Sequence, residues 1–253
     1  MRVAALFLSA EKTIATSTIH SCPALPRMAK AAEGPVGSTQ RARGLDRTSL
    51  LDDRPAMARL SSLAFPLLLV LLVLIWAIAL ALGGPSAPFD LELLHRFHDP
   101  ALVPAARLLT HMGNWQYLLP IALGVAGWMW WRGRKREAVL LLAIFLGAQL
   151  LIDLQKYAFD RARPDPSGRL VVAHFRAFPS GHAGNSMATL LGIALIAFGG
   201  RWWAIVTAIA LSAAIASTRL ILAVHWPTDV VGGWAFGAFW ALLLVRLFAP
   251  KRR

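Results

Sequence analysis

The sequence predicts an all-α fold, a polytopic membrane bundle of six transmembrane helices. Three observations carry that expectation. The 253-residue chain is 57% hydrophobic and only 15% charged, against about 25% charged residues in a soluble domain. Its mean hydropathy is +0.56. Apolar runs of membrane length recur between short basic clusters, with tryptophans at several run ends, as expected of an interfacial aromatic belt. Only helices or closed barrels satisfy their backbones in lipid, and these runs lack the alternation of a barrel strand.

Residues 1–58 mix Ser, Thr, Pro, Gly and scattered charges without a sustained period. They read as a disordered N-terminal extension, with Met57 an alternative start. The stretch "VAALFLSA" has the look of a short signal core. Glu11 and Lys12 follow it at once, with no convincing cleavage site. Residues 59–253 form the membrane domain. Its six apolar segments are about 62–83, 115–131, 137–157, 183–199, 202–223 and 229–249. Each is near the ~20 residues that cross ~30 Å of hydrocarbon. Gly184, Ser186, Ala188 and Gly192, with Gly232, Gly233 and Gly237, let the last helices pack closely. Residues 85–114 read as short amphipathic helices on the outer surface, a structural cap rather than a substrate entrance.

Loop charges orient the bundle. Arg132, Arg134, Lys135 and Arg136 follow the second segment, and Lys251, Arg252 and Arg253 end the chain. These clusters fall on one side of an even-numbered bundle, so that side is cytoplasmic. The opposite loop carries Arg161, Arg163, Arg169 and Arg176, against the rule, and so needs another purpose.

Composition excludes several function classes. The net charge of +13 is spread in clusters between apolar runs, which suits a bilayer and its anionic lipids. No nucleic-acid-binding motif is present, so no nucleic-acid partner is expected. Cys22 is the single cysteine, which rules out an internal disulfide. The sequence has no CxxC, no HExxH and no Cys, His and carboxylate cluster of a metal cage. No metal and no cofactor are expected.

Chemistry concentrates in three clusters on the outer side: "KYAFDRARP" (156–164), "PSGH" (179–182) and "TRLILAVHWPTD" (218–229). Lys156, Arg163 and Arg219 bring three cations to one membrane face. Ionisable groups there are costly and mark function, and converging cations call for an anion between them. A phosphoryl group fits, because its transition state spreads charge over three oxygens and is stabilised mainly by positioned charge. Pro179 and Gly181 shape a turn before the fourth helix, whose free N–H groups favour an anion. Gly181 lets backbone approach phosphate, Ser180 adds a hydroxyl, and His182 lies where a proton could be delivered. His225 supplies the attack. Pro227 suits the first position of the sixth helix, and Asp229 in its first turn can reach back to fix the His225 tautomer, the carboxylate's role in a catalytic triad.

The pattern Lys-x6-Arg-Pro, Pro-Ser-Gly-His and Arg-x5-His-x3-Asp resembles the type 2 phosphatidic acid phosphatases, or lipid phosphate phosphatases, over about residues 62–249. Thr218 departs from it, standing where the family usually has Ser, and is not expected to be a ligand. The resemblance implies a metal-independent phosphatase. In it His225 forms a phosphohistidine and His182 protonates the leaving alkoxide. Lys156, Arg163, Ser180, Gly181 and Arg219 hold the phosphate oxygens. Vanadium haloperoxidases share these motifs but are not six-span proteins. The expected function is hydrolysis of a lipid phosphate (phosphatidate, phosphatidylglycerol phosphate or polyprenyl diphosphate) on the non-cytoplasmic face of the cell (inner) membrane. The alternative is a lipid-phosphate-binding or transport protein, for which the His225–Asp229 pair and His182 would be superfluous.

Overall fold

The computed structural model describes residues 63–250, except 98, 174 and 175 and the side chain at 166. The N-terminal extension and Met57 lie outside the described residues. Those described are helical, with no strand among them. Eight α-helices follow in order: α1 (Ala64–Leu82), α2 (Pro88–Phe97), α3 (Val103–Thr110), α4 (Trp115–Trp131), α5 (Lys135–Phe159), α6 (Gly181–Ile196), α7 (Trp202–Ile221) and α8 (Pro227–Phe248).

Four of them, α1, α5, α7 and α8, are long and apolar enough to cross a membrane. The other two predicted segments are helices but shorter: α4 has 17 residues and α6 has 16. The fourth segment was placed about two residues late at its start and three at its end, because Gly181 and His182 already lie in α6 and the chain turns at 197–200.

Helix α6 is the axis of the fold. It packs against α4, α5, α7 and α8, while α1 packs on the far side of α8. All of α6 but Gly181, His182 and Leu190 is buried. Small residues make this packing possible. A Cβ added at Gly233 would lie 2.5 Å from the Ser180 carbonyl, and one at Gly184 would lie 3.0 Å from the Gly233 carbonyl. At Gly237 it would run into the Gly184 backbone. Close backbone approach of this kind is how helices associate where no water drives them together. Below this contact, Met129, Leu141, Ile144, Met187, Leu191 and Leu242 form the apolar centre of the bundle.

The chain ends each helix at one of two poles. The first holds the end of α5, the start of α6, the α7–α8 turn and the α2–α3 segment. The second holds the α4–α5 turn and the α6–α7 turn. At this second pole Arg134 pairs with Glu137 and donates to the Ile196 carbonyl at 2.7 Å, so a cation closes the C-terminal end of α6.

Candidate active site

The first pole opens into a cleft of about 1260 Å³ whose wall includes Lys156, Arg163, His182, Arg219 and His225. Each is delivered by local structure. Helix α7 ends in a paired turn, with Ala223 N–H bonded to the Leu220 carbonyl (2.9 Å) and Val224 N–H to that of Arg219 (3.1 Å). That motif requires a left-handed residue, and Ala223 takes it at φ 53°. The reversal points Val224 and His225 back into the bundle. Pro227 then opens α8, and Asp229 Oδ2 accepts the Trp226 N–H at 2.9 Å, closing the helix start.

The same carboxylate holds the histidine. His225 Nδ1 lies 3.3 Å from Asp229 Oδ2, and both residues are buried. The other oxygen, Oδ1, accepts from Arg161 Nη1 at 2.9 Å. Arg161 also donates to Thr228 Oγ1 (3.1 Å) and, through Nη2, to the Ala79 (2.9 Å) and Leu80 (2.5 Å) carbonyls at the end of α1. Its guanidinium stacks 4.5 Å over the Phe178 ring. With a carboxylate at Nδ1, the imidazole carries its proton there. Nε2 is then an acceptor, and Arg163 Nη1 donates to it at 3.0 Å. Burial above all, then the charges of Arg163, Lys156 and Arg219, hold His225 well below the usual histidine range. Its Nε2 lone pair is therefore free of a proton at neutral pH. Burial also lowers the Arg163 guanidinium, to about 10, still a cation at any physiological pH.

The three cations are anchored individually. Arg163 donates to the Val224 carbonyl (2.6 Å), Lys156 Nζ to that of Arg176 (3.0 Å), and Arg219 Nη1 to Thr110 Oγ1 (2.5 Å). Two donors nearby stay unmatched: Ser180 Oγ and Arg219 Nε are buried with no protein partner. Buried polar atoms are almost always paired, so these two donors are open to an acceptor. The N-terminal N–H groups of α6 begin at Gly181, and beyond Gly113 a Cβ would strike the His182 ring at 2.6 Å, so that glycine seats the imidazole.

Residues 137–253 match the PAP2 superfamily. The lipid A 1-phosphatase of Rhizobium etli is 29% identical over 187 residues, covering 64% of this chain and 78% of that protein. Phosphatidylglycerophosphatase B of Bacillus subtilis is 29% identical over 150 residues, covering 56% and 73%. The crystal structure of a transmembrane PAP2-type phosphatidylglycerolphosphate phosphatase from Bacillus subtilis superposes with a TM-score of 0.65 at 25% identity, over 73% of this chain and 98% of that one. Over residues 137–253 the chain is identified with the PAP2 superfamily.

Its three PAP2 motifs meet at one place. Lys156, Arg163, Gly181, His182, Arg219 and His225 share the cleft, Ser180 lies at the α6 start, and Asp229 stands behind His225. Thr218 turns its hydroxyl back to the Ile215 carbonyl at 2.6 Å and is buried. It is not among the residues that line the cleft.

Sequence reasoning passed over three residues. Arg161 was grouped with the misplaced loop cations, yet it is tied to Asp229. Asp90 is fully buried and accepts from Thr228 N–H (3.1 Å), Thr228 Oγ1 (2.6 Å) and Gly84 N–H (2.7 Å), capping α8 from a distant segment. Thr110 holds Arg219. The segment 85–114 is therefore more than a cap: Asp90 does cap, but Arg107, Thr110, His111 and Asn114 also line the cleft. An acid inside an apolar-flanked "PFDLEL" was the available signal for Asp90. None marked Thr110.

Proposed function

We propose that this multi-pass membrane protein hydrolyses lipid phosphates through a phosphohistidine formed on His225. Phosphatase action on membrane lipid phosphates is the activity of the PAP2 relatives it matches. The observation that carries the route is the His225 clamp: Asp229 fixes Nδ1, leaving Nε2 at the cleft amid Lys156, Arg163 and Arg219.

In the first step Nε2 attacks phosphorus and the ester P–O bond breaks. The leaving alkoxide takes a proton from His182. Arg163 transfers its N–H from Nε2 to a phosphoryl oxygen. Lys156, Arg219, Ser180 Oγ and the Gly181 N–H hold the remaining charge. Asp229 stabilises the imidazolium as it forms. In the second step water attacks the phosphohistidine, His182 accepts the water's proton, the P–N bond breaks, and phosphate leaves. Cations and N–H donors meet all the developing charge, so no metal takes part.

All six predicted segments span the bilayer in this reading. Helix α6 can be short because protein surrounds it and its first residues open to the cleft, where water replaces lipid. The second pole, with Arg132, Arg134 and Arg136, is cytoplasmic, and the site lies on the non-cytoplasmic face of the cell (inner) membrane.

Phosphate release by the purified protein from phosphatidate, phosphatidylglycerol phosphate and polyprenyl diphosphate tests the activity. Turnover is expected to persist in chelator, fall with vanadate and leave an acid-labile label on the protein. Loss in chelator that Mg²⁺ restores would overturn the route, and tight lipid phosphate binding without release would favour the binding protein. For orientation, Arg136→Cys and Ser167→Cys, each in Cys22→Ser, should label oppositely with an impermeant thiol reagent in intact cells: position 167 reacts, 136 does not.

A further inference from the structure

Beyond the phosphate-facing cations the cleft wall carries a second polar group. Asp153 and Gln149 lie on α5 one and two turns in from Lys156, and Asn185 lies one turn into α6 from Gly181. By helical rise they sit about 5–10 Å deeper in the bundle than Lys156. All three line the cleft. Polar groups at that depth in a membrane bundle are costly and mark function.

Their hydrogen bonds run in one direction. A carboxylate only accepts, so Gln149 turns Nε2 to Asp153 Oδ2 (2.6 Å) and leaves Oε1 for Asn185 Nδ2 (2.6 Å). The chain therefore ends on Asn185 Oδ1, an acceptor with no partner on a side chain only 4% exposed. A bond that merely tied α5 to α6 would need Asn185 and Gln149 alone. Asp153 adds polarity and sets the direction, so the acceptor left unpaired belongs to a residue of the cleft wall. A phosphate dianion has no proton to give it. The donor must come from the other part of the substrate.

We infer that Asn185, oriented by Gln149 and Asp153, forms a subsite for a hydroxyl or amide N–H carried by the lipid leaving group close to its phosphate. The subsite rests on the phosphatase reading above and sharpens it. It selects phosphomonoesters of polyol or amino-sugar lipids, whose leaving groups bear such donors, over polyprenyl phosphates and diacylglycerol phosphates, which lack them beside the ester. Asn185 acts here as a specificity residue, and Gln149 and Asp153 as positioning residues.

The test compares kcat/KM for phosphatidylglycerol phosphate and for its analogue with hydrogen in place of the free glycerol hydroxyl. Wild type should prefer the hydroxyl substrate by about 10- to 100-fold, the range of one buried hydrogen bond. Asn185→Leu should bring the ratio close to one. Asp153→Asn, which keeps the volume but lets the amide chain reverse, should lower the ratio as well. The ratio is taken within each variant, so partial misfolding scales both rates and leaves it unmoved. Equal rates for the two lipids in wild type would overturn the subsite. So would variants that slow both lipids alike with the preference kept, which is the result for a purely structural or water-holding role. If wild type releases phosphate from neither lipid nor from nitrophenyl phosphate, the phosphatase reading fails first and takes the subsite with it.

Discussion

Both poles of the bundle are basic, but their cations are held in different ways. At the second pole Arg132, Lys135, Arg136, Arg201 and Arg246 are exposed, with aliphatic stems on the surface and heads free to reach lipid phosphates. Arg132 and Lys135 rest over Trp128 and Trp130. At the first pole Lys156, Arg161 and Arg219 are buried, each below a tenth exposed. Protein carbonyls, a hydroxyl or a carboxylate hold them. An exposed cation serves orientation through its charge alone, and neighbours can substitute for it. A buried one is held in one geometry at a desolvation cost, which is only sustained by partners and by a ligand. The contrast separates the cations that the proposal gives to orientation from those that it gives to chemistry.

Substitutions at the two poles should therefore differ most sharply in turnover. His225→Ala removes the attacking atom and should lower phosphate release by at least about 10⁴-fold on every substrate. Arg136→Gln, on the exposed pole, should stay within about twofold, the usual reach of a surface change. Measuring both on one lipid phosphate breaks the comparison if Arg136→Gln matters as much as His225→Ala.

His182→Ala should be the next largest effect, and a selective one. General acid help is worth about 10²–10⁴-fold, and a lipid alkoxide needs it while a nitrophenolate leaves unaided. The variant should lose most lipid phosphatase activity, keep far more nitrophenyl phosphate cleavage and still label as phosphohistidine. Equal losses on both substrates would assign His182 to phosphate binding.

Arg161 distinguishes a buried cation that touches substrate from one that acts through another residue. It donates to Asp229, Thr228 and the end of α1. Arg161→Gln leaves the Asp229 carboxylate short of its cation, a loss of about 3–5 kcal/mol when a buried pair is broken. Thermal stability should fall. In the folded fraction kcat should drop about 10- to 100-fold with KM little changed, since the phosphate cations are untouched. A large rise in KM with kcat intact would place Arg161 on the substrate instead.

How much of this was legible follows from the range of each interaction. The apolar segments and the motif residues are local signals, and Lys156, Arg163, Ser180 to His182, Arg219, His225 and Asp229 were all named from three short clusters and the family motifs that they resemble. The small residues Gly184, Gly233 and Gly237 were read as packing positions and lie at the α6–α8 contact. Arg161, Asp90 and Thr110 act across 68, 138 and 109 residues. Such pairings depend on which helices meet, and no local period encodes that. Asn185 follows Pro-Ser-Gly-His by three residues. Its role needed Gln149 and Asp153 placed opposite, so it passed as a helix residue.

The smallest effect compares one backbone device at both poles. Helices α4 and α7 end in the same paired turn. At the second pole Gly133 N–H bonds to the Trp130 carbonyl (2.9 Å) and Arg134 N–H to that of Met129 (2.9 Å), with Gly133 at φ 78°. At the first pole Ala223 holds the equivalent position at φ 53°. A left-handed conformation costs a residue with a Cβ about 1–2 kcal/mol, and glycine returns part of that through its freer unfolded chain. Ala223→Gly should stabilise the protein by about 0.5–1 kcal/mol. Gly133→Ala should destabilise it by a similar amount, because open space surrounds that Cβ and only the backbone term remains. Thermal unfolding in detergent, read for both variants against wild type, checks the pair. Phosphatase activity should survive both changes, since glycine keeps the turn that carries Val224 and His225. If Ala223→Gly leaves stability higher but turnover lower, the alanine is holding the His225 turn rigid for catalysis. The two poles would then differ in backbone stiffness as well as in how they hold charge.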